Sequence, residues 1–176
     1  MSSESRDLLD RVLAKAPSLS ARAVALVNRV PPGSPIRRRL INLSIKRGFD
    51  AMARSDLDLI LPLFEPDAEA WMRGMAAVGV DDCYRGREGV RRLYADVDEV
   101  FSEWKWTIRE VMDGGRVYAI RADFDGVGRG SGLRTTLTDA GTVIWSSPSS
   151  LIARQDWFVE QGGWKKALAA SGLTPV

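Results

Sequence analysis

The chain has 176 residues, of which 45% are hydrophobic and 27% charged, and its formal net charge is +2. That length builds one domain with a sizeable core and is short for two. No apolar run approaches the ~20 residues that span a bilayer, and no basic segment leads into an apolar core as in a secretory signal. Histidine is absent and Cys83 is the sole cysteine. The usual general base and the commonest metal ligand are therefore missing, and Ser-His-Asp or Cys-His chemistry is excluded. The lone thiol fits a reducing compartment, so the expected location is cytoplasmic. Neither a metal nor a cofactor is implied.

Residues 5–16 carry Leu8, Leu9, Val12, Leu13 and Ala16 at helical spacing, and residues 19–30 repeat the tendency with Leu19, Ala23, Leu26, Val27 and Val30. "PPGSP" at 31–35 breaks the chain, so residues 1–33 are expected to form a helical appendage and residues 34–176 the domain. Residues 1–54 hold eleven Lys/Arg against four Asp/Glu, a balance of +7, and the remainder balances at −5. No aromatic residue precedes Phe49, so this basic excess lacks the stacking groups of a nucleic-acid surface. It reads as a solvated helix face, with a weak attraction to anionic surfaces as the alternative, and no nucleic-acid partner is expected.

Ser34-Pro35 is a helix start, with Ile41, Ile45, Phe49 and Met52 on one face of the helix that follows. Ser55 and Asp58 offer a capping-box-like start for a second helix carrying Leu57, Ile60, Leu61 and Phe64. Pro62 should kink or shorten it, and Pro66 should close it. "DAEAWM" (67–72) reads as a strand and the next stretch as a loop. Val90, Leu93, Tyr94, Val97, Val100, Phe101 and Trp104 give the strongest helical period in the chain. The period then changes to two. "KWTIREVM", "RVYAIRADFD", "LRTTLTDAGTVIWSS" and "LIARQDWFVE" are strands, with a turn at "DGG" and a bulge or turn at Asp139-Ala140-Gly141. "GGWKKALAASGL" offers a terminal helix. This order predicts an α+β fold, with a curved antiparallel sheet wrapped around helices.

"GVGRGSG" (126–132) invites a phosphate-loop reading, but strand-forming sequence lies on both sides of it. The spacing is not G-x-G-x-x-G, and no Walker lysine follows. The glycines predict a bent hairpin, with Arg129 at an exposed tip or a sheet edge. Upstream, Arg121 and Asp123 share a face with Val117 and Ala119. Small apolar residues leading into charged ones suggest a pocket wall that ends in polar groups. Trp71, Trp145 and Trp157 are candidate flat walls for a ring-bearing ligand, and Phe101 joins them as a candidate contact.

Four phrases together resemble one family. "RGFDAMARSDLDLILPLFEPDAEAW" is similar to the opening signature of the nuclear-transport-factor-2-like superfamily. "YRGREGVRRLY", "GRGSGL" and "KKALAASGL" resemble its SnoaL-like, polyketide-cyclase-like branch. The similarity covers about residues 36–173. It implies a cone of helices capping a strongly curved sheet, a pocket between them, and homodimerisation through the outer face of the sheet. Arg121-Ala122-Asp123 and Asp156 in "RQDWF" are also similar to the Arg-x-Asp step and second aspartate of limonene epoxide hydrolases. That resemblance implies Asp123 as base, Asp156 as acid and Arg121 as the arginine between them. The Tyr and Asn that position water in those hydrolases have no counterpart in "DAEAWMRG".

Two functional readings remain. One is a pocket for a small apolar molecule, with or without histidine-free acid–base chemistry of the cyclase, isomerase or epoxide-hydrolase type. The other is a non-enzymatic dimerisation or interaction module whose basic amino-terminal helices recruit a partner. Neither requires stable membrane insertion.

Overall fold

The structure, a computed structural model, describes residue 10 and residues 17–174. The expected helix at 5–16 lies outside the described residues, apart from Asp10. Helix α1 (Pro17–Arg29) leads through the Pro31-Pro32-Gly33 break into α2 (Pro35–Ala53), whose first turn Pro35 preorganises. A single turn, α3 (Leu57–Ile60), passes into 3-10 geometry at Leu61–Leu63, as Pro62 requires. Ser55 does not cap α3. Its backbone is left-handed at φ 49°, its hydroxyl donates to Asp98 at 2.9 Å, and Asp56 occupies the N-cap position.

Strand β1 (Phe64–Arg73) begins earlier than the sequence suggests and contains Pro66. The proline sits where the register with β6 shifts, between Phe64 and Glu69, so no regular ladder donor is lost. After a short strand β2 (Cys83–Arg85), α4 (Gly86–Val100) runs directly into β3 (Phe101–Asp113). Phe101 is extended, with φ −116° and ψ 135°, so Phe101 and Trp104 belong to the strand and not to the helix. Strands β4 (Val117–Gly128), β5 (Arg134–Ser146) and β6 (Ile152–Phe158) and helix α5 (Gly163–Ser171) complete the chain.

The sheet order is β2-β1-β6-β5-β4-β3. All neighbouring strands are antiparallel except β1 and β6, which are parallel. Asp139 (φ 65°) marks a bulge in β5 opposite the β4 register shift between Ala122 and Phe124. On the inner face, Ile120, Ala122, Phe124 and Trp157 pack against α2 and α4 in the main core. On the outer face, Ala119, Val143 and Phe158 are covered by Trp164 and Ala167 of α5.

The glycine-rich segment is the β4–β5 hairpin. A side chain on Gly126 would meet the Phe101 ring at 2.7 Å, and Gly132 turns the chain at φ +66°. The Arg129 side chain donates to the Asp98 and Phe101 carbonyls, and its amide donates to Val100, so this exposed arginine closes the carboxyl end of α4.

Arg37, 1% exposed, ties α1, α2 and the β3–β4 turn together. It donates to Asp113 at 2.6 and 3.0 Å, to the Val27 and Val30 carbonyls, to the Gly115 carbonyl and to Tyr118 Oη. The Asp113 hydrogen bond raises the Arg37 pKa, against the opposing effect of burial. An Arg37→Met variant leaves Asp113 and three carbonyls without this donor. It should lose about 3–5 kcal/mol in urea unfolding, whereas Arg38→Met on the exposed side of the same helix should change stability by less than ~0.5 kcal/mol.

Candidate functional site

The strand period assigns each candidate side chain to one face. Arg121, Asp123 and Asp156 all lie on the outer face, the one opposite α2 and α4, and the three do not meet in one ion-pair cluster. Arg121 pairs with Asp139 at 2.6 Å. Asp123 pairs with Arg109 at 2.6 Å and accepts the Asp139 amide at 3.2 Å. Burial alone would raise the Asp123 pKa. The Arg109 hydrogen bond, the Asp139 amide and the nearby arginine charges outweigh it and hold the carboxyl below its ordinary value.

Asp156 is two strands away, 2% exposed, and gripped by a different pair of arginines. Arg154 reaches both of its oxygens at 2.7 and 2.8 Å, and Arg73 reaches Oδ2 at 3.1 Å. Both guanidiniums lie over the Trp71 ring, Arg73 also over Phe158 and Arg154 also over Trp145. No arginine is shared between Asp123 and Asp156, so the arrangement that the hydrolase resemblance implies is not assembled. Trp71 and Trp145 belong to this outer cluster and not to an enclosed pocket.

The enclosed space is on the inner face. A cavity of about 150 Å³ lies between α1, α2 and the sheet. Val27, Ile41, Ile45, Phe49, Met52 and Ile144 supply apolar walls, and Asn28, Ser44, Ser146 and Gln155 supply polar atoms. Among the described residues no Asp, Glu, Lys or Arg lines it. Beyond Met52 and Tyr94 a void of only about 20 Å³ remains, because rings fill the deep end. Trp106 lies 4.8 Å from Trp157 and 4.9 Å from Phe124, centroid to centroid, and Phe49 lies 5.5 Å from Trp157. Trp157 therefore lines the deep void. Phe101 packs on Phe124 at 5.2 Å, off both cavity linings.

Gln155 carries the strongest polar signal. It is 4% exposed, it lines the cavity, and its side-chain amide has no hydrogen-bond partner among the described residues. At one end of the cavity Tyr118 Oη donates to Asn28 Oδ1 at 2.6 Å and accepts from Arg37, so α1 closes that end through a hydrogen bond. The Tyr118 pKa is raised by burial, and Arg37 only partly offsets this.

Gln155 lines the cavity and was not among the residues the sequence suggested, whereas Asp156 was. The signal was present: Trp157 was expected to face a pocket, and a period of two then places Gln155, not Asp156, beside it.

A helix-capped, curved-sheet chamber with an apolar lining defines the protein as a pocket-bearing α+β domain. The chain belongs to the SnoaL-like domain family, whose model matches residues 45–154. It is similar in fold to TerC, co-crystallised with polyporic acid, with 18% identity over 71% of this chain and 95% of that one and a TM-score of 0.59. A Catenulispora acidiphila protein with a ketosteroid isomerase-like fold, in complex with trimethylamine, gives 18% identity, 74% and 92% coverage and a TM-score of 0.58. RV0760c from Mycobacterium tuberculosis, in complex with estradiol-17β-hemisuccinate, gives 13% identity, 67% and 92% coverage and a TM-score of 0.56. At these identities the likeness is one of fold. No curated protein matches the chain. No helix among the described residues is long and apolar enough to cross a membrane.

Two buried phenols set an alkaline limit on this architecture. Burial, and then the Asp96 hydrogen bond, push the Tyr84 pKa far up. Burial, and then the Asp98 charge, do the same at Tyr94 on the cavity wall. Folded-state values above the unfolded one mean that this stability is intact below about pH 10 and is lost as pH rises beyond it. Urea midpoints should therefore fall steeply above that pH, and Tyr94→Phe should flatten the fall.

Proposed function

We propose that the protein binds a small, neutral, ring-bearing molecule in the inner cavity, held by apolar contacts and by one hydrogen bond to Gln155. The observation that carries this reading is the unpartnered Gln155 amide on the wall of a mainly apolar chamber. A ligand carbonyl or hydroxyl would give that amide a hydrogen bond, worth about 0.5–1.5 kcal/mol net. The described lining residues carry no charged side chain, which favours a neutral ligand, because an unpaired ion there would be costly. A volume of about 150 Å³ suits a single ring. That three structural neighbours were crystallised with organic molecules supports a binding role for this fold.

Acid–base chemistry is the less favoured form of this reading. It would need a carboxylate at the ligand, and those at Asp123 and Asp156 face the other side of the sheet in ion pairs with arginine.

Acetophenone and ethylbenzene, which share a ring and differ in the carbonyl, test the proposal by quenching of tryptophan fluorescence. Acetophenone should bind about tenfold more tightly, and Gln155→Leu should abolish the difference while leaving ethylbenzene affinity unchanged. Failure of both compounds to bind, or a preference that survives in Gln155→Leu, would overturn it.

A further inference from the structure

The helices that roof the cavity carry a second apolar surface that the core does not use. On α2, Ile36, Leu40 and Leu43 are 68%, 37% and 52% exposed. Spacings of four and three residues put them on one face, opposite the buried Arg37, Ile41 and Phe49. On α1, Leu26 is 61% exposed, and Arg22 and Arg29 flank it at the same spacings. Residues 17–49 contain seven Lys/Arg and no Asp or Glu. Arg37 spends its charge internally on Asp113, Lys46 pairs with Asp50 and Arg47 with Asp10. Arg22, Arg29, Arg38 and Arg39 are exposed and have no ion-pair partner among the described residues.

We propose that α1 and α2 form a docking surface for an anionic lipid bilayer. Exposed aliphatic side chains interleaved with unpaired arginines are what an interfacial helix offers, with the chains entering the acyl boundary and the guanidiniums remaining among anionic headgroups. The same chemistry argues against other occupants. A second copy of this surface would bring like charges together. Single-stranded nucleic acid would need stacking rings, and residues 17–48 contain none.

The location adds a purpose. Val24, Val27, Ile41 and Ile45 of these two helices also wall the cavity. A bilayer seated on them lies on the roof of the apolar chamber, so a ligand that partitions into lipid would meet the protein at its source. The docking itself stands independently of the Gln155 reading.

The test uses the full chain and sedimentation with vesicles of phosphatidylcholine, alone or mixed with phosphatidylglycerol. Binding should require phosphatidylglycerol and weaken as salt is added. The double variant R29Q/R39Q, which removes one exposed arginine from beside the aliphatic face of each helix, should weaken it about thirtyfold. L40S/L43S should weaken it comparably with an unchanged circular dichroism spectrum, since both side chains are exposed. Acetophenone titration of R29Q/R39Q should match the parent chain, which separates failure at the surface from failure in the cavity. No vesicle binding, equal binding to neutral vesicles, or unaltered binding by both double variants would overturn the proposal. So would arginine-dependent capture of a single-stranded RNA oligonucleotide without vesicle binding, or self-association abolished by the leucine variant.

Discussion

The chamber depends on one buried charge. Arg37 is sealed beneath α1, and its guanidinium is shared among an aspartate, three backbone carbonyls and a phenol. Burying a guanidinium is expensive, and only near-complete hydrogen bonding offsets the desolvation. That requirement dictates geometry. The last carbonyls of α1, the first turn of α2 and the β3–β4 turn must all converge on one planar group. Once they do, Asn28 and Tyr118 meet, and the end of the cavity is closed by the same network. Lysine offers a point charge in place of a fork and could not bind so many acceptors from one position.

The sheet divides chemistry from containment. Its charged groups, including the carboxylates that resemble a catalytic pair, form separate ion pairs on the outside, braced by tryptophan rings. The inside is almost entirely apolar and aromatic. Phe124, Trp106 and Trp157 fill the deep end, so the usable space is pushed toward α1 and α2. The ligand environment is therefore set as much by the amino-terminal helices as by the sheet. Those helices combine a wall of the chamber with an exposed, basic and aliphatic exterior.

Much of the architecture was legible in the sequence, because helical and strand periods are strong in Val90–Val100 and Tyr118–Phe124. The glycine run read correctly as a hairpin, since its flanks were strand-like and its spacing wrong for a phosphate loop. Errors clustered at junctions. Phe101 and Trp104 continue the helical spacing of α4, yet the chain turns extended at Phe101 without a linker. Ser55 looks like a cap, but its hydroxyl serves Asp98. Arg121, Asp123 and Asp156 fall on the opposite face of the sheet from the cavity for a more instructive reason. Residue types suggested Arg121, Asp123 and Asp156, while alternation decides which face a side chain occupies. Tyr118, Ile120, Ala122 and Phe124 are the bulkier apolar row of β4, and that row faces the helices. Applying the same parity to β6 places Gln155 inside and Asp156 outside. The role of α1 in roofing the cavity had no local signature, because it depends on a contact between Arg37 and residues 76 to 81 positions away.

A chamber whose described walls carry no carboxylate, ammonium group or imidazole has a further property. Its ionisable side chains are phenols whose pKa values burial has moved upward. Across the range in which cells and their compartments differ in acidity, nothing on its walls changes charge. Occupancy by a ligand that does not itself ionise follows its concentration and is indifferent to proton activity. A guest that is itself a weak acid or base would enter in its neutral form, so the chamber would sort such compounds by their own pKa values.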